Sequence, residues 1–291
     1  MAIPGLRGMS ITTMLKRAVN DFLNHDLLTH ASALAFQALF SMFPFVLFLT
    51  ALLGFLHLTE FVQWVQVNAI AMLPAEAGNT VNEVVAGLQK QDVGLLSFGA
   101  VVALWSASAA VRVIMHATNR AFNVAEERPA WKRYPLSVLY TLLLALMLIA
   151  AAVLINLGPG ALEWIARQVG LQGAFVALWA WLRWPVAFLL LVLASSVIYY
   201  AAPNVKQDFR LITPGAMLAI TVWILASLGF KYYVSNFADY NAMYGSIGAV
   251  IALLFYFFIS SAVLLFGAEV NAVVQRYAPE LGDAQPQEQL P

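Results

Sequence analysis

The residues in this chain that could do chemistry are few, and they sit within long apolar runs. Between Leu104 and Asn119 the sequence LWSASAAVRVIMHATN sets Trp105, Ser108, Arg112, His116 and Asn119 three and four residues apart, on one face of a helix. A second run, Tyr240 to Val273, has no charged residue from Ile247 to Ala268 and then presents Glu269 and Asn271. Arg112 lies roughly one and a half to two turns inside the C-terminal end of its run, and Glu269 approaches the same end of its own run at a similar depth. An arginine at the centre of a membrane helix costs about 2.5–3.5 kcal/mol on insertion scales, and less near an end where it can snorkel. This spacing predicts that Arg112 and Glu269 pair or share a polar pocket; the plainer alternative is two separate interfacial residues. With Gln37, from the corresponding half of the first apolar run, the candidate pocket comprises Gln37, Arg112, His116, Asn119, Glu269 and Asn271.

At the other end of the last run, Tyr240, Asn241, Tyr244, Gly245, Ser246 and Gly248 form a second candidate, a headgroup-binding or gating turn. A glycine-rich helix N-terminus offers free N–H groups and a positive dipole end to a phosphate or carboxylate. The plainer reading is a tight turn that needs glycine. Tyr199, Tyr200 and Asn204 fall at the end of the fourth run, in the same half as the candidate pocket; the tyrosines read as aromatic-belt residues or as further polar groups near that pocket.

Enzyme chemistry finds little to work with. His25, His30, His57 and His116 have no metal-ligand spacing, and no nucleophile-elbow or nucleotide-binding motif is present. There is no cysteine. No catalytic residue, metal or cofactor is assigned, and the chain is not read as an enzyme. A formal net charge of zero gives no reason to expect nucleic acid.

The elements that must position these residues are membrane spans. Of the 291 residues 62% are hydrophobic and 10% charged, against about 25% charged in a soluble domain. Six runs, near 31–56, 95–118, 136–157, 175–201, 211–234 and 246–273, are long enough to cross about 30 Å of hydrocarbon. The expected fold is all-α: one polytopic domain over 1–278, then a disordered tail over 279–291. Pro44 is expected to kink the first span. Residues 10–29 show one-sided apolar periodicity, which predicts a helix lying on the membrane surface or packed on the protein's own loops. Residues 1–30 lack a continuous apolar core, so insertion without signal cleavage is expected. The acidic stretch 57–94 reads as a loop with a helical segment from Leu73 to Leu88.

Orientation follows from Lys and Arg near the span ends. Arg7, Lys16, Arg17, Arg120, Arg128, Lys132, Arg133, Lys206, Arg210 and Arg276 make ten on one side; Lys90, Arg167 and Lys231 make three on the other. The positive-inside rule then predicts both termini in the cytoplasm.

Four segments, ASALAFQALFSMFPFVLFLTALLGF, LWSASAAVRVIMHATNRAFNVAEERPAWKRYPLSVLYT, YYAAPNV and ITPGAMLAI through GAEVNAV, together resemble the YihY/BrkB family of bacterial inner-membrane proteins. The resemblance covers about residues 20–275. It implies a six-helix inner-membrane protein with cytoplasmic termini and a role in the cell envelope. Members have carried a ribonuclease label, which no motif in this sequence supports. Three functions stay open. The first is a transporter of a lipid or other amphiphile, with Arg112 attracting a phosphate and Glu269 holding Arg112 or exchanging a proton. The second is a proton-coupled ion antiporter using Glu269 and His116. The third is a non-transporting envelope scaffold. The expected partners are membrane lipids, with a homo-oligomer or envelope proteins as alternatives.

Overall fold

The computed structural model describes residues 10–55, 93–156, 174–205, 207, 210–237 and 240–282, and every regular element among them is a helix. In chain order these are α1 (Ile11–Asn24), α2 (Leu27–Phe55), α3 (Val93–Ala121), α4 (Ala130–Asn156), α5 (Ala174–Ala201), α6 (Pro214–Phe237) and α7 (Tyr240–Gly282). Helices α2 to α7 each contain a stretch long and apolar enough to cross a membrane. The expected helix over Leu73–Leu88 lies outside the described residues, as do the other residues of the 57–92 loop.

The local sequence explains where these helices begin and end. Ser10 caps α1 by accepting a hydrogen bond from the Thr13 amide at 3.2 Å. The periodic pattern over 10–29 does not form one helix: it breaks at Asp26, whose φ of 55° is left-handed. Aspartate tolerates that region better than most residues. Asp26 then steadies the start of α2, its carboxylate accepting from the Thr29 hydroxyl at 2.9 Å. Thr213 and Pro214 open α6 as N-cap and first residue, with the Thr213 hydroxyl accepting from the Ala216 amide at 3.2 Å.

Helix α7 departs most from the expected boundaries. It starts at Tyr240 and runs for 43 residues, about 64 Å. That is roughly twice the hydrocarbon thickness, so part of α7 must extend past the apolar layer. It continues beyond Pro279, where the tail was expected to begin, and ends at Gly282, a residue type suited to a helix end. Because α7 starts at Tyr240, Gly245 and Gly248 lie inside it rather than at its N-terminus. Only the first four N–H groups of a helix lack intrahelical acceptors. The proposed anion-binding turn therefore does not form there. The side chains of Tyr240, Asn241, Tyr244 and Ser246 lie outside the described residues.

Contacts group the chain into two units, residues 37–110 and the remainder. Within the first, Gln37 donates to the Ser106 carbonyl at 3.0 Å, joining α2 to α3. Gly99 lets the α2 backbone come close: a Cβ there would sit 3.3 Å from the Phe48 Cα. Pro44 lies within α2.

The second unit is built around α7, which packs against α1 and α6 and touches α5; α5 also pairs with α4 and α6. The buried face of α1, Met14, Ala18 and Phe22, meets Val270, Val273 and Val274 of α7. Phe22 makes an edge-to-face contact with Phe266 at 5.6 Å. Helix α1 therefore packs on the last spanning helix rather than on loops. Its neighbouring apolar flank, Val19 and Leu23, stays exposed. Leu139, Leu142, Leu146 and Ile149 of α4 and Leu225 and Leu228 of α6 also face outward. Exposed apolar residues on spanning helices are the surface expected of a chain solvated by lipid.

Candidate functional site

Glu269 is fully buried, and its partners come from α1 and from its own helix. His25 Nδ1 lies 2.9 Å from Oε2, and Arg276 donates to Oε1 at 2.7 Å. Arg276 also reaches Asp21 at 2.9 Å. Asp21 and His25 are four residues apart, and Glu269 and Arg276 seven, so each pair shares a helix face. Four ionisable groups thus join α1 to α7 beside the Phe22–Phe266 contact. A carboxylate removed from water needs such partners.

Asn271, two residues on, joins α7 to the start of α6. Its Oδ1 accepts from the Gly215 amide at 2.8 Å, and its Nδ2 donates to the Thr213 hydroxyl at 3.0 Å. One free N–H at the α6 N-terminus is thereby satisfied. The two helices cross here through glycine: a Cβ on Gly215 would overlap the Gly267 carbonyl, and one on Gly267 would lie 2.7 Å from both the Ala219 Cβ and the Gly215 carbonyl. Tyr199 closes the crossing from α5, donating to the Leu264 carbonyl at 2.6 Å. Tyr199 is buried, so it is a packing residue and not part of an aromatic belt; Tyr200 is exposed.

The third assembly surrounds a cavity of about 410 Å³ lined by His30, His116, Asn119, Arg120, Val124, Ala125 and Glu126. Helix α3 ends in a Schellman motif: the Val124 amide bonds to the Asn119 carbonyl at 2.9 Å and the Asn123 amide to that of Arg120 at 3.0 Å. Asn123 takes the left-handed position with φ 54°. This turn folds the following loop back over α3. Arg128 then grips Glu126 through two side-chain hydrogen bonds of 2.7 and 2.8 Å and donates to the Ala202 carbonyl at 2.7 Å. Asn119 donates to Glu126 at 2.8 Å and accepts from the Asn204 amide at 2.6 Å. The ends of α3 and α5 and the 122–129 loop are thereby tied together.

The guanidinium of Arg128 is the main reason that the Glu126 carboxyl titrates below the usual carboxylate range, against a smaller opposing effect of burial. A depressed folded-state pKa stabilises the fold above the unfolded value, near 4.3 for glutamate, and this stabilisation fades as pH falls through the folded value. Protection of the amides in residues 122–128 against hydrogen exchange, taken relative to the intrinsic rate at each pH, should therefore fall on acidification below about pH 4, and Glu126→Gln should flatten that response. An unchanged pH profile in the variant would contradict this account.

Six residues were proposed for one pocket, and the structure distributes them. His116 and Asn119 line the cavity. Glu269 and Asn271 hold α7 to α1 and α6. Arg112 donates to the Ser137 hydroxyl at 3.1 Å and lies 4.6 Å over the Tyr134 ring, binding α3 to α4, while the ion pairs of Glu269 go to His25 and Arg276. Gln37 belongs to the first unit, where it holds the Ser106 carbonyl. The predicted stripe on α3 is not uniform either: Ser108 is buried and Trp105 exposed. Sequence reasoning missed Asp21, His25, Arg276, His30 and the Glu126–Arg128 clamp. The shared helix faces of Asp21 with His25 and of Glu269 with Arg276 were a usable signal for the first three.

The chain matches the family model described as Virulence factor BrkB over residues 18–290. It is 32% identical over 270 residues to the putative ribonuclease-like protein YfkH of Bacillus subtilis, covering 91% of this chain and 96% of that protein. It is 28% identical over 271 residues to a UPF0761 membrane protein of Chromohalobacter salexigens, covering 90% of this chain and 63% of the relative. A UPF0761 membrane protein of Xanthomonas campestris pv. campestris is also 28% identical, over 272 residues, 89% of this chain and 60% of the relative. The chain thus spans somewhat under two thirds of the UPF0761 relatives' length. No solved structure matches. With the family model extending over nearly the whole chain and six apolar helices in the fold, the protein is a polytopic membrane protein of the Virulence factor BrkB family.

Proposed function

We propose that this protein is an inner-membrane transporter of the cell envelope that moves a lipid or other amphiphile past a polar pocket open to the cytoplasm. The observation carrying this reading is the cavity of about 410 Å³ among the ends of apolar helices, where His30, His116, Asn119 and Arg120 meet Val124 and Ala125. A space of that size accepts a polar headgroup. The outward apolar faces of the helices suit acyl chains that stay in the bilayer. The excess of Lys and Arg at this end supports a cytoplasmic orientation. In this reading His116 and Asn119 line the path, while Arg112 and Glu269 hold the helices that form it.

The test is movement of headgroup-labelled phospholipid in proteoliposomes, read by dithionite quenching. Wild-type protein is expected to give quenching beyond the outer-leaflet share, and His116→Ala to slow it. Quenching no greater than in protein-free liposomes would overturn the reading. One observation favours a second reading, a proton-coupled ion antiporter: a titratable pair, His25 and Glu269, in direct contact within the helix cluster. Ion-dependent proton flux lost in folded Glu269→Gln would support it, and absence of such flux in the wild type would eliminate it.

A further inference from the structure

We infer that the cavity at the end of α3 is a binding site for a phosphate-type oxyanion, held by Arg120 and His116 from α3 and by His30 from α2. The inference deepens the proposed transport function by naming the headgroup chemistry, and it rests on that reading only for its physiological role.

The acid and the amide around the cavity are already engaged. Glu126, the one carboxylate in the lining, is occupied by three partners: the Arg128 guanidinium, the Arg128 amide at 3.1 Å and the Asn119 amide at 2.8 Å. Asn119 uses its remaining oxygen on the Asn204 backbone. Two of the terminal carbonyls of α3 that would repel an anion are capped, Asn119 by Val124 and Arg120 by Asn123. The basic groups are in a different state. Neither the Arg120 guanidinium nor the His116 imidazole has a hydrogen-bond partner among the described residues. His30 spends Nδ1 on the Asp26 carbonyl at 3.2 Å, which leaves Nε2 as the ring's remaining polar atom. The lining therefore offers an unengaged guanidinium and two imidazoles, and its single acid is neutralised from outside by Arg128.

Such a set fits an anion with several oxygens. Guanidinium matches phosphate geometry through its fork of N–H donors, and an imidazole offers either an N–H donor or a ring nitrogen that accepts from a P–OH group. A cation would meet Arg120 and find Glu126 already paired. Val124 and Ala125 add an apolar wall, which suits an organic phosphate better than a bare ion. The space exceeds what inorganic phosphate alone would fill, leaving room for a glycerol or similar group. A phospholipid headgroup and a soluble phosphate share this chemistry, and binding measurements separate them.

Full-length protein in detergent micelles would be titrated with inorganic phosphate, dioctanoyl phosphatidic acid and uncharged dioctanoylglycerol, by calorimetry. The variants are Arg120→Gln and His116→Gln, with Lys132→Gln, outside the cavity, as control. Arg120 is exposed, so its replacement should leave the fold intact, which thermal unfolding would check. Saturable binding of a phosphate-bearing probe is expected, about tenfold or more weaker in Arg120→Gln, weakened in His116→Gln and unchanged in Lys132→Gln. Phosphatidic acid binding much more tightly than inorganic phosphate would identify a lipid headgroup as the source; similar affinities with mutual competition would identify a soluble phosphate. Failure of the wild type to bind either probe, equal binding in all variants, or equal binding of dioctanoylglycerol would each overturn the inference. Phosphate binding without lipid movement in proteoliposomes would leave the site standing and remove the translocation reading. Lipid movement without phosphate binding would do the reverse.

Discussion

Glu269→Ala is expected to destabilise the protein by about 3–5 kcal/mol, the range for removing one member of a buried ion pair and stranding its partners. The alanine would leave His25 and Arg276 without the carboxylate that bridges them, while the Arg276–Asp21 contact would remain. The apolar face, Met14, Ala18 and Phe22 against Val270, Val273 and Val274, would remain. The loss should therefore appear first as release of α1 and only later as global unfolding. Tryptic cleavage at Lys16 and Arg17 would report the release, and denaturation in mixed micelles would report the free energy. Glu269→Gln keeps the shape and can still accept a hydrogen bond, so it should cost less, about 1.5–3 kcal/mol. Cleavage and unfolding curves for Glu269→Ala matching the wild type would show that the cluster does not hold α1.

Gly215→Ala is expected to be of comparable severity for a steric reason. The added Cβ would fall on the Gly267 carbonyl of α7 and lie 2.7 Å from the Asn271 Oδ1 that receives the Gly215 amide. Backbone atoms cannot rotate away as a long side chain can, so the α6–α7 crossing must open. Overpacking of this kind typically costs about 1–3 kcal/mol and occasionally more. Here it also breaks the cap at the α6 N-terminus, worth about 1 kcal/mol. By contrast Gly229, farther along α6, has open space where a Cβ would go, and Gly229→Ala should be neutral or slightly stabilising. Thermal unfolding of the two alanine variants in detergent makes the comparison, and equal stability of both would refute the close crossing. Both substitutions lie on α6, so the contrast isolates the crossing from helix propensity.

Much of this architecture was legible in the letters. Apolar runs of about 20 residues cannot leave their backbone groups unsatisfied in lipid, and helices meet that demand within a segment. That is why six spans, their order and the amphipathic α1 could be read without tertiary information, and why the motif match reached the right family. Polar residues in the spans were recognisable as exceptional for the same reason. Their partners were not, because the partner of a buried charge is chosen by three-dimensional proximity. Arg112 and Glu269 looked matched by sign and depth, yet Tyr134 and Ser137 lie beside Arg112, and α1 brings His25 to Glu269. Helix ends were similarly ambiguous. Glycines at 245 and 248 look like a turn, but a helix can run through glycine when its neighbours favour it, and α7 begins before them. The sequence by itself determined the membrane class, the helical elements and the short inventory of groups able to carry charge. Tertiary structure alone decided which of those groups lock helices together and which line a cavity, because burial and pairing depend on contacts between residues as far apart as His25 and Glu269.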